Sequence, residues 1–166
     1  MKYNLLTLAV VSVMTVFISC EEEEYSVPPH YDSIVCLNSN PAVGDTLTLQ
    51  VRAKSLGSYY YRAKCDWSIT GGSLSFVAPS IPIGYYRDFS VSKNNASVTI
   101  VDPEHFLPSI RFVPKSAGTY NIQFRMTLNM SMPTKDGYMT YQLGGYSEIP
   151  GIVDPTLKGS VTVNAK

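Results

Sequence analysis

The chain has 166 residues, of which 13 are basic and 13 acidic, so that its formal net charge is zero. This length suits one domain with a hydrophobic core, and the scattered basic residues exclude the clustered charge typical of proteins that bind nucleic acid or anionic lipid surfaces. Charged residues make up only 16% of the sequence, whereas it contains 12 Tyr, 11 Gly and 11 Pro. That composition favours strands and turns over helices.

The first 19 residues have the pattern of a cleaved signal peptide. Lys2 gives the positive start, and an apolar run from Leu5 to Ile18 follows it. A run of this length matches a secretory segment, whereas a helix that spans a bilayer needs roughly 20 mostly apolar residues. The carboxylates that come soon after the run would be costly to bury in hydrocarbon. We therefore expect residues 1–19 to direct export and then to be removed.

The residues that end this segment, Phe17-Ile18-Ser19-Cys20, resemble the lipid-attachment sequence of bacterial lipoproteins. The resemblance implies that lipid on Cys20 anchors the protein in a membrane; the alternative is an ordinary cleaved signal with a chance cysteine. The acidic run that follows resembles the export signal of Bacteroidetes surface lipoproteins, which implies a place on the outer face of the outer membrane. That run consists of Glu21, Glu22, Glu23 and Glu24.

Residues 20–31 are predicted to form a tether, because the glutamates repel one another and Pro28-Pro29 stiffens the path. Residues 32–166 are then expected to form one domain, in which alternating apolar and polar residues predict most of the strands. The predicted strands are Ser33 to Leu37, Thr46 to Ala53, Lys64 to Thr70, Ser97 to Val101, Thr119 to Met130 and Ser160 to Asn164.

The longest predicted strand carries six apolar side chains in strict alternation, from Tyr120 to Met130, so one of its faces is expected to lie in the core. A hairpin is predicted after it at Lys135-Asp136-Gly137, since Asp-Gly favours tight hairpin turns. No sustained apolar period of 3.6 residues occurs in the domain. The sequence therefore predicts an all-β protein built as an antiparallel sandwich.

If Cys20 carries lipid, Cys36 and Cys65 remain, in a compartment that permits disulfides. Strand parity directs both thiols toward the core. A disulfide also requires Cα atoms within about 7 Å, so pairing and two buried free thiols both stay open. A redox or metal role is not expected, because the chain has no Cys-x-x-Cys pair.

Three segments carry a resemblance to immunoglobulin-like or PKD-like domains: Gly44 to Leu49, Cys65 to Ile69 and Phe112 to Ile122. In such sandwiches a Trp on the third strand packs between the sheets, and a Tyr near the start of a later strand ties a corner through its hydroxyl. The resemblance implies these roles for Trp67 and Tyr120. It also implies apolar packing where the family has its disulfide.

The sequence contains no candidate for a catalytic serine triad. Ser147 lacks the second glycine of a nucleophile elbow, and both histidines, His30 and His105, lie far from it in sequence. No glycine-rich phosphate loop is present. We therefore expect no enzymatic activity and no cofactor.

Two groups of ionisable residues are candidate active sites. Asp102, Glu104 and His105 could bind a metal or act as acid and base, but a proline among them indicates a solvated turn. Asp66 and Asp88 could form a glycosidase pair, although Asp66 is expected to point outward from its strand. Neither group leads us to predict an enzyme.

Clustered tyrosines are the stronger signal for binding. A tyrosine combines an apolar ring with a hydroxyl, which suits contacts with sugars and proteins. Because neighbours on a strand point to opposite faces, consecutive tyrosines cannot all lie in the core. The alternative is that these rings only cover strand surfaces. The candidate ligand-binding residues are Tyr59, Tyr60, Tyr61, Tyr85 and Tyr86, and further tyrosines follow at Tyr138, Tyr141 and Tyr146.

Two short segments, Asp32-Ser33-Ile34 and Asp45-Thr46-Leu47, resemble the O-glycosylation acceptor of Bacteroidetes. The resemblance implies modification of Ser33 and Thr46, which would require both side chains to be exposed.

The sequence as a whole predicts a surface-anchored lipoprotein that acts as a binding or accessory module for a glycan or a protein. The first alternative is a structural or adhesion subunit that assembles through strand edges. A small hydrolase or inhibitor is the second alternative.

Overall fold

The structure, a computed structural model, describes Val27 and residues 29–58, 60–130 and 156–166. Nine strands occur in this part of the chain. They are β1 (His30–Cys36), β2 (Leu47–Ser55), β3 (Tyr60–Thr70), β4 (Leu74–Val77), β5 (Tyr86–Val91), β6 (Asn95–Val101), β7 (Ser109–Pro114), β8 (Gly118–Met130) and β9 (Leu157–Val163).

The strands form two antiparallel sheets that enclose one core. The first sheet has the order β1-β2-β7-β4, and the second has the order β5-β6-β3-β8-β9. β4 lies in the first sheet although its neighbours in the chain, β3 and β5, both lie in the second. The predicted all-β sandwich is therefore confirmed, and the chain crosses between the sheets at several of its connections.

Strand β8 has the alternation that the sequence predicts. Its inward side chains from Tyr120 to Leu128 are each at most 3% exposed, and the outward side chains between them are mostly exposed. The antiparallel register places Trp67 of β3 opposite Phe124 of β8, and the centroids of their rings lie 4.6 Å apart. The fully buried Trp67 thus packs between the sheets, as the resemblance implies.

Tyr120 ties a corner of the sandwich through its hydroxyl. The oxygen lies 2.9 Å from the carbonyl oxygens of Ser73 and Ser116, to either of which it donates, and 3.1 Å from the Ser116 hydroxyl. A Cβ at Gly72 would lie 2.5 Å from the Tyr120 hydroxyl oxygen, so only glycine leaves room there. The corner implied by the resemblance is present.

Several element boundaries differ from the predicted ones. β1 begins at His30, within the predicted tether, because His30 and Tyr31 already pair with the end of β2. β4, β5 and β7 are not among the predicted strands. β4 has only four residues, and the pairing of β5 shifts register between Arg87 and Ser90, which disrupts its alternation.

The sheets approach each other along the edges formed by β1 and β9. A Cβ at Gly159 would lie 3.3 Å from the Cβ of Ile34. Just before β2, the chain runs parallel to the end of β9: the Asn164 amide donates to the Pro41 carbonyl, and the Val43 amide donates to the Asn164 carbonyl. This segment covers the C-terminal part of the β9 edge.

Among the residues that the structure describes, none belongs to a helix that could cross a membrane.

Candidate binding surfaces

The outer face of the second sheet is polar because alternation directs apolar residues inward and polar residues outward. Asp66 and Ser68 point outward from β3, and Gln123 and Arg125 point outward from β8. The register sets Asp66 beside Arg125 and Ser68 beside Gln123. Two cross-strand polar pairs therefore lie side by side at the centre of this face.

A groove of about 510 Å³ lies across these pairs and the neighbouring strands β6 and β5. We call it the polar groove. Besides Trp67, Ala96 and Val91, its lining consists of residues whose side chains can donate or accept hydrogen bonds. These are Asp66, Ser68, Ser90, Ser92, Asn95, Ser97, Gln123 and Arg125.

The charges in the polar groove are unevenly paired. Asp66 Oδ1 lies 3.7 Å from Lys64 Nζ, on the same strand, and forms an exposed ion pair with it. Arg125 faces Asp66 across the ladder, yet in the described part of the chain it forms no ion pair and no side-chain hydrogen bond. Its guanidinium can therefore donate hydrogen bonds to a carboxylate of another molecule without breaking an ion pair within the described part of the chain.

The rim of the polar groove is formed by β5, an edge strand. Asp88 has a φ of 52°, a left-handed conformation that Asp tolerates better than most residues, and the ladder shifts register beside it. Beyond the shift, Val91 presents a side chain that is 55% exposed. The rim therefore adds one apolar contact to a lining that is otherwise polar.

Two of the candidate tyrosines, Tyr85 and Tyr86, lie at one end of the sandwich, and their role in binding stays a prediction. Tyr85 is 43% exposed, and its ring lies 4.7 Å from that of Phe106, whereas Tyr86 is half-buried and packs against the core. The two neighbouring rings thus differ in exposure: Tyr85 lies in the turn before β5, and Tyr86 is the first residue of the strand. We call the surface formed by Ile83, Tyr85 and Phe106 the aromatic end.

Other tyrosines of the predicted site are only partly described. Tyr60 and Tyr61 begin β3, and Tyr60 pairs with Met130 at the end of β8. Because Arg62 pairs with Val101 at the end of β6, the start of β3 lies at the same end as Tyr85. Tyr59, Tyr138, Tyr141 and Tyr146 lie outside the described residues, as do Ser147 and the predicted hairpin at 135–137.

The two cysteines are free thiols on opposite sheets, so the disulfide alternative is not formed in the structure. Cys36 is half-buried, and its Sγ lies 3.9 Å from Asn38 Oδ1. Cys65 is fully buried, and burial, with a smaller contribution from the charge of Asp66, raises the pKa of its thiol. A thiol held protonated in this way is a poor nucleophile and metal ligand.

The ionisable residues of the two candidate active sites do not come together in one site. His105 Nδ1 lies 2.7 Å from Asp102 Oδ1 on an exposed turn. That hydrogen bond, with the charge of Asp102, raises the pKa of His105. Within the described residues no group of three or more His, Cys, Asp or Glu side chains could hold a metal ion. Asp66 and Asp88 lie on strands separated by β6, so they are not neighbours.

The predicted glycosylation sites differ in exposure. Thr46 is exposed just before β2, whereas Ser33 is half-buried in β1 and its hydroxyl donates to Asp32 Oδ1 at 3.0 Å. Modification at both sites stays a prediction. Cys20 and the acidic run after it lie outside the described residues.

No family model matches the chain, and no curated protein does. The solved structures that resemble it include cohesin modules. One, from a family 33 glycoside hydrolase of Clostridium perfringens, has a TM-score of 0.54 at 10% identity and covers 86% of this chain and 100% of its own. This likeness concerns the fold.

Two further similar structures come from Acetivibrio cellulolyticus. A type II cohesin–X-dockerin complex gives a TM-score of 0.49 at 8% identity, covering 82% of this chain and 99% of its own. A type II cohesin domain from the cellulosome gives a TM-score of 0.44 at 11% identity, covering 84% of this chain and 92% of its own.

Proposed function

We propose that this chain is a lipid-anchored, non-catalytic module that binds a protein partner through the polar groove. The observation that carries the proposal is Arg125, which lies in a groove of hydrogen-bonding side chains and forms no ion pair with any residue that the structure describes. Arginine is enriched in protein interfaces, where it forms paired hydrogen bonds with carboxylates. An acidic side chain of the partner would complete this arrangement.

The lining of the polar groove favours a protein over a glycan. Serine, asparagine and glutamine side chains supply donors and acceptors for a partner's backbone, and Val91 supplies an apolar contact. No exposed aromatic ring lies among the lining residues, because Trp67 is buried from the other side. A sugar ring would therefore find no flat apolar surface for stacking in this groove.

The support beneath the polar groove is rigid. Its floor is formed by β3, β6 and β8, whose inward side chains are buried, and Trp67 packs on Phe124 directly beneath it. A preorganised surface loses little conformational entropy on binding. This favours recognition of a partner without rearrangement of the module.

The anchor in this proposal is Cys20, with the adjacent glutamates as the signal for export to the outer face of the outer membrane. Anchoring would hold the module outside the cell, where a partner protein or its complex is accessible. Support for this part comes from the sequence, namely the short apolar run and the cysteine that follows it.

Assembly through strand edges has less support from the geometry. β4 is four residues long, and β1 and β5 both contain register shifts that interrupt an edge. The segment before β2 covers the C-terminal part of the fourth edge, β9. Short and bulged edge strands are poor templates for pairing with another chain. A hydrolase is likewise disfavoured, since the exposed Asp102 and His105 pair lacks a neighbouring nucleophile among the described contacts.

Site-specific photo-crosslinking in the native host tests the proposal. A photoreactive amino acid is placed at Val91, on the rim of the groove, and in a control variant at the exposed Lys54 on the first sheet. We expect a discrete protein adduct from position 91 that is absent from position 54. Identical adducts from both positions, or none from position 91, would contradict a protein-binding groove.

A further inference from the structure

At the aromatic end, a tight turn exposes the apolar side chain of Ile83 to solvent. Pro82 to Tyr85 form a tight turn, closed by a hydrogen bond from the Tyr85 amide to the Pro82 carbonyl at 3.1 Å. Gly84 supplies the positive φ of 104° that the third position of this turn requires. Ile83 is thereby placed at the tip, where it is 92% exposed.

Ile83 is not the only apolar group at this end. The Tyr85 ring, which contacts the Phe106 ring at a tilt of 49°, extends the apolar surface from the turn toward the loop before β7. Val27, which is 50% exposed, pairs with Ser58 just before β3. These apolar groups therefore lie at the end where β3 and β5 begin.

The chain from Cys20 enters the sandwich at this same end. Val27 lies seven positions after Cys20 in the sequence, and His30 pairs with Ser55 at the end of β2. A stretch of that length spans at most about 25 Å even when fully extended. A lipid on Cys20 would thus hold the aromatic end close to the bilayer surface.

We infer that the aromatic end rests on the membrane, with Ile83 and Tyr85 in contact with the interfacial region of the bilayer. This inference depends on the proposed lipid anchor at Cys20. Tyrosine suits such a place because its ring is apolar and its hydroxyl stays wet. The contact is shallow, since the partly exposed Asp102 and Glu104 lie on the same loop as Phe106 and their carboxylates would be costly to bury in hydrocarbon.

Membrane contact at this end directs the polar groove away from the lipid. β3 begins at the aromatic end with Tyr60 and reaches the groove only at Asp66 and Ser68. Six to eight residues of strand correspond to roughly 20–25 Å. The groove is therefore held clear of the bilayer, where a partner can reach it.

Fluorescence quenching of the lipidated protein in phosphatidylcholine vesicles tests the inference. A fluorophore is attached to a cysteine introduced by Ile83→Cys or, as a control on the polar groove, by Val91→Cys. Both variants also carry Cys36→Ala, and Cys65 is too buried to react. The vesicles contain a lipid with a nitroxide quencher on its acyl chain, and flotation reports whether the protein is anchored.

We expect floated protein in which the label at position 83 is quenched about threefold more than the label at position 91, as suits shallow insertion of 5–10 Å. Equal quenching in floated protein would overturn the inference and leave the anchor intact. Failure to float would overturn the anchor and this inference together. The fluorescence spectrum of the label at position 83 could instead change with the number of protein molecules per vesicle and not with the quencher. That result would assign the surface to contacts between copies of the protein and would also contradict the inference.

Discussion

Tyr120, whose role was predicted from a sequence motif, makes a specific stabilising contact. Its hydroxyl is buried at a corner, where it can donate to the carbonyl of Ser73 or Ser116. We expect Tyr120→Phe to lower the free energy of unfolding by about 1–2 kcal/mol, because these carbonyls lose their buried donor. Urea denaturation measures the change. Tyr85→Phe serves as the control, since the exposed Tyr85 ring makes its described contact through Phe106, and a loss as large there would contradict the explanation.

His105 offers a prediction about pH. Its hydrogen bond to Asp102 stabilises the charged imidazole, which raises the pKa of His105 above its ordinary value. The pair therefore adds stability below the ordinary pKa of histidine, and this contribution is lost as the pH rises through the raised value. NMR titration should show a lower pKa in Asp102→Asn. Glu104→Gln should lower it by less, because Glu104 acts only through its charge; the reverse order would contradict this account.

At the scale of elements, the two faces of β8 are expected to differ sharply in their tolerance of change. Phe124 is fully buried and packs on Trp67 and Tyr31. Phe124→Ala should cost about 3–5 kcal/mol of stability, whereas Gln123→Ala, one position away on the outer face, should change it by less than about 0.5 kcal/mol. Chemical denaturation of both variants measures the contrast. Similar losses would show that the inward and outward assignment is wrong.

Strands β2, β3 and β8 could be predicted from the sequence because each has one buried face, which imposes strict alternation. β5 could not, since an edge strand with a register shift near Asp88 buries little and has no regular pattern. The tyrosine corner was accessible through a short motif. Of the aromatic end, the sequence predicts that some tyrosine rings are exposed, as Tyr85 is, but it does not single out Ile83.

The polar groove was not predicted, and the reason is physical. Its residues come from four strands, and strand parity already indicated that Asp66 and Arg125 face outward. Whether Asp66 and Arg125 lie next to each other depends on the register between β3 and β8. Which other residues surround them depends on the placement of β6 and β5 beside these strands. Register is fixed by packing of the inner faces and by turns, so the outer juxtaposition cannot be obtained by examining each strand alone.

At the scale of the whole molecule, the proposed anchored end and the proposed recognition face are separate surfaces. The anchor itself gives a separate prediction. Cys20→Ala should release the protein from membranes into the soluble fraction, because the proposed lipid is its attachment. Replacement of Glu21 to Glu24 by alanine should leave the protein membrane-bound but hide it from protease added to intact cells. Membrane retention of Cys20→Ala would contradict lipid anchoring.

The central claim is that the polar groove binds a protein partner through Arg125. Calorimetric titration with the partner identified by crosslinking tests it most directly. We predict that Arg125→Glu weakens binding by at least about tenfold, because the partner's carboxylate would meet a like charge. Arg52→Glu, the same charge change at an exposed position on the first sheet, should leave the affinity within about twofold. Equal affinities for the two variants would contradict the account.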